Sequence, residues 1–126
     1  MAYLFVFLGA GLGGALRHGV NLLAAKLVGT SFPYGTLMVN VIGSLAMGLL
    51  AGYFAFRGGA SQHWRLFLTT GVLGGFTTFS TFSLEVGLMS ERGQFVWAAF
   101  YIVVSVAVSV AALFIGLYVM RATAQA

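Results

Sequence analysis

Four apolar stretches, each about as long as a bilayer core is thick, constrain this chain more than any other feature. They cover residues of about 4–25, 35–56, 64–89 and 95–120. About 20 apolar residues cross a membrane as a helix, whereas a β-barrel strand shows an alternating pattern about 10 residues long. The pattern predicts an all-α integral membrane four-helix bundle, with residues 1–126 forming a single membrane domain. Only 6% of the residues are charged and 60% are hydrophobic. A water-facing surface on a domain of this size needs about 25% charge. The boundaries are polar: Lys26 followed by Gly29, Thr30, Ser31 and Pro33; residues 57–63; residues 91–94; and Arg121 before a tail expected to fray. The first stretch does not read as a cleavable signal, since its start lacks Lys or Arg and its apolar run is too long.

The same counts exclude whole classes of chemistry. With no Cys there are no disulfides, thiolate metal sites or cysteine nucleophiles, and 2 acidic residues with 2 His leave little for carboxylate clusters. The chain is not expected to be an enzyme. In a membrane setting the net charge of +4 reads as headgroup anchoring or attraction of anions, with no nucleic-acid or nucleotide partner. Gly9, Gly11 and Gly14 satisfy a dinucleotide-binding spacing, but the acidic residue that motif needs about 20 positions on is missing. In a span those glycines read as packing points: Gly9 with Gly13, Ala10 with Gly14. Ser44, Gly48 and Gly52 repeat the spacing, as do Ser105 with Ser109 and Ala112 with Gly116. With the amino terminus inside, Arg57, Arg65 and Arg121 face Lys26 and Arg92 across the membrane, a weak positive-inside bias. Either a few charges decide one topology, or both orientations insert and pair antiparallel.

Polar residues inside the spans carry the functional signal. Arg17 lies mid-span, where a charge costs about 2.5–3.5 kcal/mol and turns to a cavity or a partner unless it snorkels to the interface. Asn40 offers two donors and an acceptor in the second span, as an interhelical clamp or as part of a path. Residues 71–83 of the third span combine Gly71, Gly74 and Gly75 with hydroxyls at Thr77, Thr78, Ser80, Thr81 and Ser83. This composition predicts a break at mid-span, with a continuous helix of back-bonded hydroxyls as the other reading. Phe79 and Phe82 fall three apart beyond it, as core packing or as rings whose positive edges could face a small anion. Glu85 and Glu91 do not form the carboxylate ring of many cation channels. The residues alone point to a small homo-oligomeric channel or transporter, with a tilt towards a small anion.

The blocks Gly35-Thr36-Leu37-Met38-Val39-Asn40 and Gly74-Gly75-Phe76-Thr77-Thr78-Phe79-Ser80-Thr81-Phe82-Ser83, with Gly13-Gly14-Ala15-Leu16-Arg17 upstream, resemble the CrcB/Fluc fluoride channels. The likeness extends over the whole chain in length, span count and motif order. It implies a multi-pass protein of the cell (inner) membrane, an antiparallel, dual-topology homodimer that exports fluoride passively and so lowers intracellular fluoride. The resemblance further implies a structural sodium ion held by backbone carbonyls at Gly74 and Thr77, and a fluoride pore lined by Asn40, Phe79, Phe82, Ser80, Thr81 and Ser83. Arg17 corresponds to a first-span Arg that attracts anions in a vestibule, while Glu85 and His18 receive no role. Two other readings remain at this point: a small proton-coupled multidrug-resistance-type exporter, which needs an intramembrane carboxylate, and a non-transporting membrane assembly subunit.

Overall fold

The computed structural model describes residues 1–59 and 61–125. Residue 60 of the expected polar loop and residue 126 of the expected tail lie outside the described residues. The described residues form helices α1 (Ala2–Val28), α2 (Tyr34–Phe56) and α3 (Gln62–Arg65), a π-helical stretch (Leu66–Leu73), then α4 (Gly74–Phe76), α5 (Ser80–Glu91) and α6 (Phe95–Gln125). Four segments are long and apolar enough to cross a membrane, the third being Gln62–Glu91 as a whole. Each runs at or past the expected bounds. The tail expected to fray continues α6 through Gln125, because Ala122, Thr123 and Ala124 carry nothing that stops a helix.

Turn chemistry explains the connections. α1 ends at Gly29, whose φ of 85° is a left-handed conformation that costs a side chain about 1–2 kcal/mol. Pro33 then stands at the N-cap of α2, a position that needs no backbone N–H. Ser61 caps α3 by accepting a hydrogen bond from the Trp64 N–H at 3.3 Å.

α2 packs mainly on α6, while α1 packs on the π-helical stretch and α4. Both contacts depend on missing side chains. A Cβ on Gly75 would run into the Ala10 carbonyl, one on Gly13 into the Val72 carbonyl, and one on Gly71 would stand 3.0 Å from the Gly9 Cα. Gly48 and Gly116 play the same part between α2 and α6. Gly14 faces open space instead, so of the two pairs read from the α1 sequence only Gly9 and Gly13 both meet a neighbouring helix.

Few large side chains are inside. Tyr101 and Val39 are fully buried, and Phe82, Met89 and Ala98 join Tyr101 in a small cluster beneath Phe32, Leu37 and Val86. Most other large apolar groups point outward, Tyr3, Phe7, Phe95 and Val96 among them. In water such a surface would be a large apolar liability; in lipid it is the solvated face.

Replacing Gly75 by Val is expected to force α1 away from the third span and destabilise the fold by about 1–3 kcal/mol. A melting curve in detergent should fall clearly for this variant, while Gly11→Ala, in open space, should stay within about 0.5 kcal/mol of the parent.

Candidate functional site

The third span is broken within residues 71–83, as their composition predicts. Gly74 and Gly75 sit in a last helical turn, and the chain leaves the helix at Thr77, whose ψ of 160° is extended. Thr77, Thr78 and Phe79 are non-helical before α5 begins at Ser80. The glycines serve close approach to α1; the hydroxyl residues after them make the opening. Upstream, the π-helical stretch already departs from α geometry, a local form frequent at functional sites.

An opened helix at membrane depth leaves backbone groups without partners, and several of them find one here. Asn40 Nδ2 donates to the Thr78 carbonyl at 3.0 Å, and the Thr78 N–H donates to Asn40 Oδ1 at 2.9 Å. One amide thus replaces both bonds that a continuous helix would have given Thr78. Thr77 donates to the Leu73 carbonyl through its N–H at 3.0 Å and its Oγ1 at 2.9 Å. Thr78 Oγ1 accepts the Thr81 N–H at 3.2 Å, capping the start of α5. Arg17 Nε donates to the Gly75 carbonyl at 3.1 Å, so this intramembrane charge is half-buried against backbone rather than snorkelling. Among the described residues, the carbonyls of Gly74, Phe76 and Thr77 receive no hydrogen bond.

The break opens onto a groove of about 500 Å³ between α2 and α6. Asn40 and Ser44 line one wall, Gly74, Thr77 and Thr78 the floor, and Phe79 and Phe82 one end. The two phenyl rings have centroids 5.7 Å apart with an interplanar angle of 49°. Their settings differ: Phe79 is 76% exposed, while Phe82 is buried and packs on Tyr101 at 5.0 Å. The far wall carries Ser105 and Ser109, whose buried hydroxyl oxygens have no hydrogen-bond partner. The sequence reading treats this pair as packing points; the available signal was two hydroxyls four apart in an otherwise apolar helix.

The remaining hydroxyls are distributed elsewhere. Ser80 is exposed, its Oγ 3.4 Å from Thr78 Oγ1, and Ser83 is also exposed. Thr81 turns away from the groove into a second cavity of about 320 Å³ at the α1–α2 loop end, shared with Asn21, Thr36, Glu85 and Arg92. Glu85 accepts a hydrogen bond from the Tyr101 hydroxyl at 2.9 Å, and His18 is exposed on α1.

Four bilayer-length helices, a third span held open at depth, and a groove of amide, hydroxyl and aromatic groups without a carboxylate define a multi-pass membrane protein of the ion-conducting class. Comparison with known proteins agrees. Residues 4–117 match the family model described as CrcB-like protein, Camphor Resistance (CrcB), and the chain belongs to that family. It is 66% identical over 118 residues to a protein of Methylobacterium nodulans named fluoride-specific ion channel FluC, covering 94% of each chain. A Rhodopseudomonas palustris protein of the same name is 58% identical over 122 residues, covering 97% of this chain and 98% of that one. Fluoride-specific ion channel FluC 2 of Nitrobacter hamburgensis is 56% identical over 121 residues, covering 96% and 98%.

Asn40→Ala removes both partners of Thr78 at once. A loss of about 1–3 kcal/mol is expected for leaving such groups unpaired in a water-poor setting, read as a lower melting temperature in detergent. Asn40→Asp keeps the acceptor for the Thr78 N–H but loses the donor to its carbonyl, and should also destabilise the fold.

Proposed function

We propose that this chain is a fluoride channel that lets the ion leave the cell passively, working as an antiparallel, dual-topology homodimer. The carrying observation is the groove at the broken third span, which Asn40, Ser105, Ser109, Phe79 and Phe82 line and no carboxylate enters. Fluoride is small and tightly hydrated, so a path must replace its water with donors of this kind while staying too narrow for larger anions. The hydroxyls along Ser80, Thr81 and Ser83 extend the polar surface of α5, and Arg17 keeps a positive charge beside the break. The relatives' names are the independent support for fluoride as the ion.

What one chain leaves open supports the dimer. Phe79 is 76% exposed at the edge of the groove, and a second copy would enclose it. The positive charges also divide nearly evenly: Arg121 lies over Phe56 and Arg65 near Phe54 at one end, while Arg92 lines the cavity at the other. A chain with so weak a bias can insert both ways.

Sodium is proposed as a structural ion. Gly74 and Thr77 line the groove, their carbonyls have no hydrogen-bond donor among the described residues, and unwound carbonyls in broken spans suit a hard monovalent cation. When bound, the ion supplies a positive charge that offsets the repulsion between these oxygens. Arg17 and Asn40 do the remaining work of holding the break by satisfying Gly75 and Thr78.

A proton-coupled exporter fits less well, because α1 contains no Asp or Glu and Glu85 is already engaged by Tyr101. Purified protein in fluoride-loaded liposomes, with a potassium ionophore added and a fluoride electrode outside, should give rapid efflux. Efflux no faster than from empty liposomes would sink the channel reading. Phe79→Ala should cut flux by about tenfold or more while the protein still elutes as a dimer. Omitting sodium throughout should lower activity, and an imposed sodium gradient should not drive fluoride uptake.

A further inference from the structure

The four spans alternate in direction, so the start of α1, the end of α2, the start of α3 and the end of α6 share one end of the bundle. His63 stacks on Phe5 there, with ring centroids 5.0 Å apart, and ties α3 to α1. Lys and Arg divide almost evenly between the two ends, but the carboxylates do not. The end with Lys26 and Arg92 also holds Glu91, and Glu85 lies further in on the same side. The end with Arg57, Arg65 and Arg121 has no Asp or Glu side chain.

These three arginines surround the last turn of α2. The Arg65 guanidinium carbon lies 5.9 Å from the centre of the Phe54 ring and that of Arg121 lies 5.4 Å from the centre of the Phe56 ring, while Arg57 follows Phe56 in the chain. A cation over a ring face is held there by the ring quadrupole. A guanidinium so placed keeps the N–H donors at its edge for an oxyanion, which it grips in a two-point fork. Among the described residues, the arginine side chains that donate hydrogen bonds are Arg17 and Arg92, whereas Arg57, Arg65 and Arg121 are exposed with their donors open. The carbonyl ends of α2 and α6 oppose an anion here with about half a negative charge each. Three full positive charges outweigh them.

Exposed aromatic groups set the depth of this collar. Tyr53, Trp64 and Tyr118 stand exposed at the same end, and Trp and Tyr concentrate at the headgroup level of a membrane. Below Arg121, three and seven positions earlier on the same face of α6, Tyr118 and Phe114 are both exposed, an apolar strip that an acyl chain can cover.

We propose that the arginine collar at the end of α2 binds the phosphate of an anionic phospholipid whose acyl chains lie along α6. Free phosphate would meet the same donors but leave the strip below them uncovered. An antiparallel pair would carry one collar at each membrane face. None of this depends on which ion the chain conducts.

The chain has 2 Trp, one at each end: Trp64 beside Arg65, and Trp97 against Phe32. Trp97→Phe and Trp64→Phe therefore leave a single reporter of either end. Each variant is reconstituted in phosphatidylcholine vesicles in which a minor fraction of the lipid is brominated phosphatidylglycerol or brominated phosphatidylcholine, and quenching by bromine reads which lipid sits nearby. Trp64 should prefer phosphatidylglycerol about fivefold or more, and Trp97 should show little preference. With Trp64 as reporter, Arg121→Gln should cut that preference by about half or more, and Arg121→Lys, which keeps the charge without the fork, should retain part of it. Equal quenching by the two lipids at Trp64 overturns the proposal, as does a parent-like preference in Arg121→Gln. An equal preference at Trp64 and Trp97 also overturns it, since that is diffuse attraction to the net charge of +4. Loss of the preference on adding inorganic phosphate at constant ionic strength would make this a free-anion site and overturn the lipid. Melting of the parent protein in detergent needs no variant to fold: phosphatidylglycerol should raise the melting temperature more than phosphatidylcholine, and equal shifts overturn the site.

Discussion

The clasp between the Asn40 amide and the Thr78 backbone is the interaction on which the rest of the structure depends. A helix opened inside a bilayer exposes N–H and C=O groups where water is scarce, and each unsatisfied one costs several kcal/mol. Asn40 reaches from α2 to supply both a donor and an acceptor to one residue of the opening. Arg17 does half as much from α1, covering the Gly75 carbonyl. With those groups satisfied, the chain can stay non-helical from Thr77 to Phe79 and turn Phe79 to the groove edge. The same arrangement explains why two polar residues occur deep in otherwise apolar helices. Each is matched to backbone rather than to another side chain.

Holding the break also requires that α1 and α2 lie close to it. α1 achieves this through backbone-to-backbone contact, Gly9 and Gly13 against residues 67–76 and Ala10 against Gly75. α2 is held by α6 through Gly48 and Gly116. Apolar side chains gain little from facing each other rather than lipid, so contact area between smooth helices has to supply the association. The small buried cluster around Tyr101 and Phe82 is the exception, and its members Phe82 and Met89 line the mid-depth groove and the loop-end cavity respectively.

Much of this was legible in the residues. Span number and approximate ends follow from apolar length, which needs no knowledge of neighbours. The unusual third span could be read from Gly74 and Gly75 followed by five hydroxyls, and Arg17 and Asn40 stood out because polar groups are expensive at that depth. Which residues of that stretch make the break was not legible, because glycine permits both unwinding and close packing. At Gly74 and Gly75 the presence of α1 decides in favour of packing, and the opening moves to the hydroxyl residues. Ser105 and Ser109 were read as spacers for the converse reason. Small hydroxyl residues at that interval serve contact in most membrane helices, and only the position of α6 opposite Asn40 puts these two residues on the groove lining.

The amino-acid sequence by itself determined that the chain is a four-span membrane protein with an interrupted third helix, since hydrophobic length and helix-breaking composition are local properties. It also carried the motif blocks by which the family is known. The tertiary structure decided which partners the polar residues take and how the hydroxyls divide between two cavities. Thr81 and Phe82 are neighbours in the chain yet face different spaces, because one helical step turns a side chain by about 100° and the surrounding helices fix what lies in each direction. Those directions depend on residues far apart in the chain, such as Asn40 with Thr78 and Glu85 with Tyr101. No local pattern records such pairings, because their energies arise only when the helices have packed.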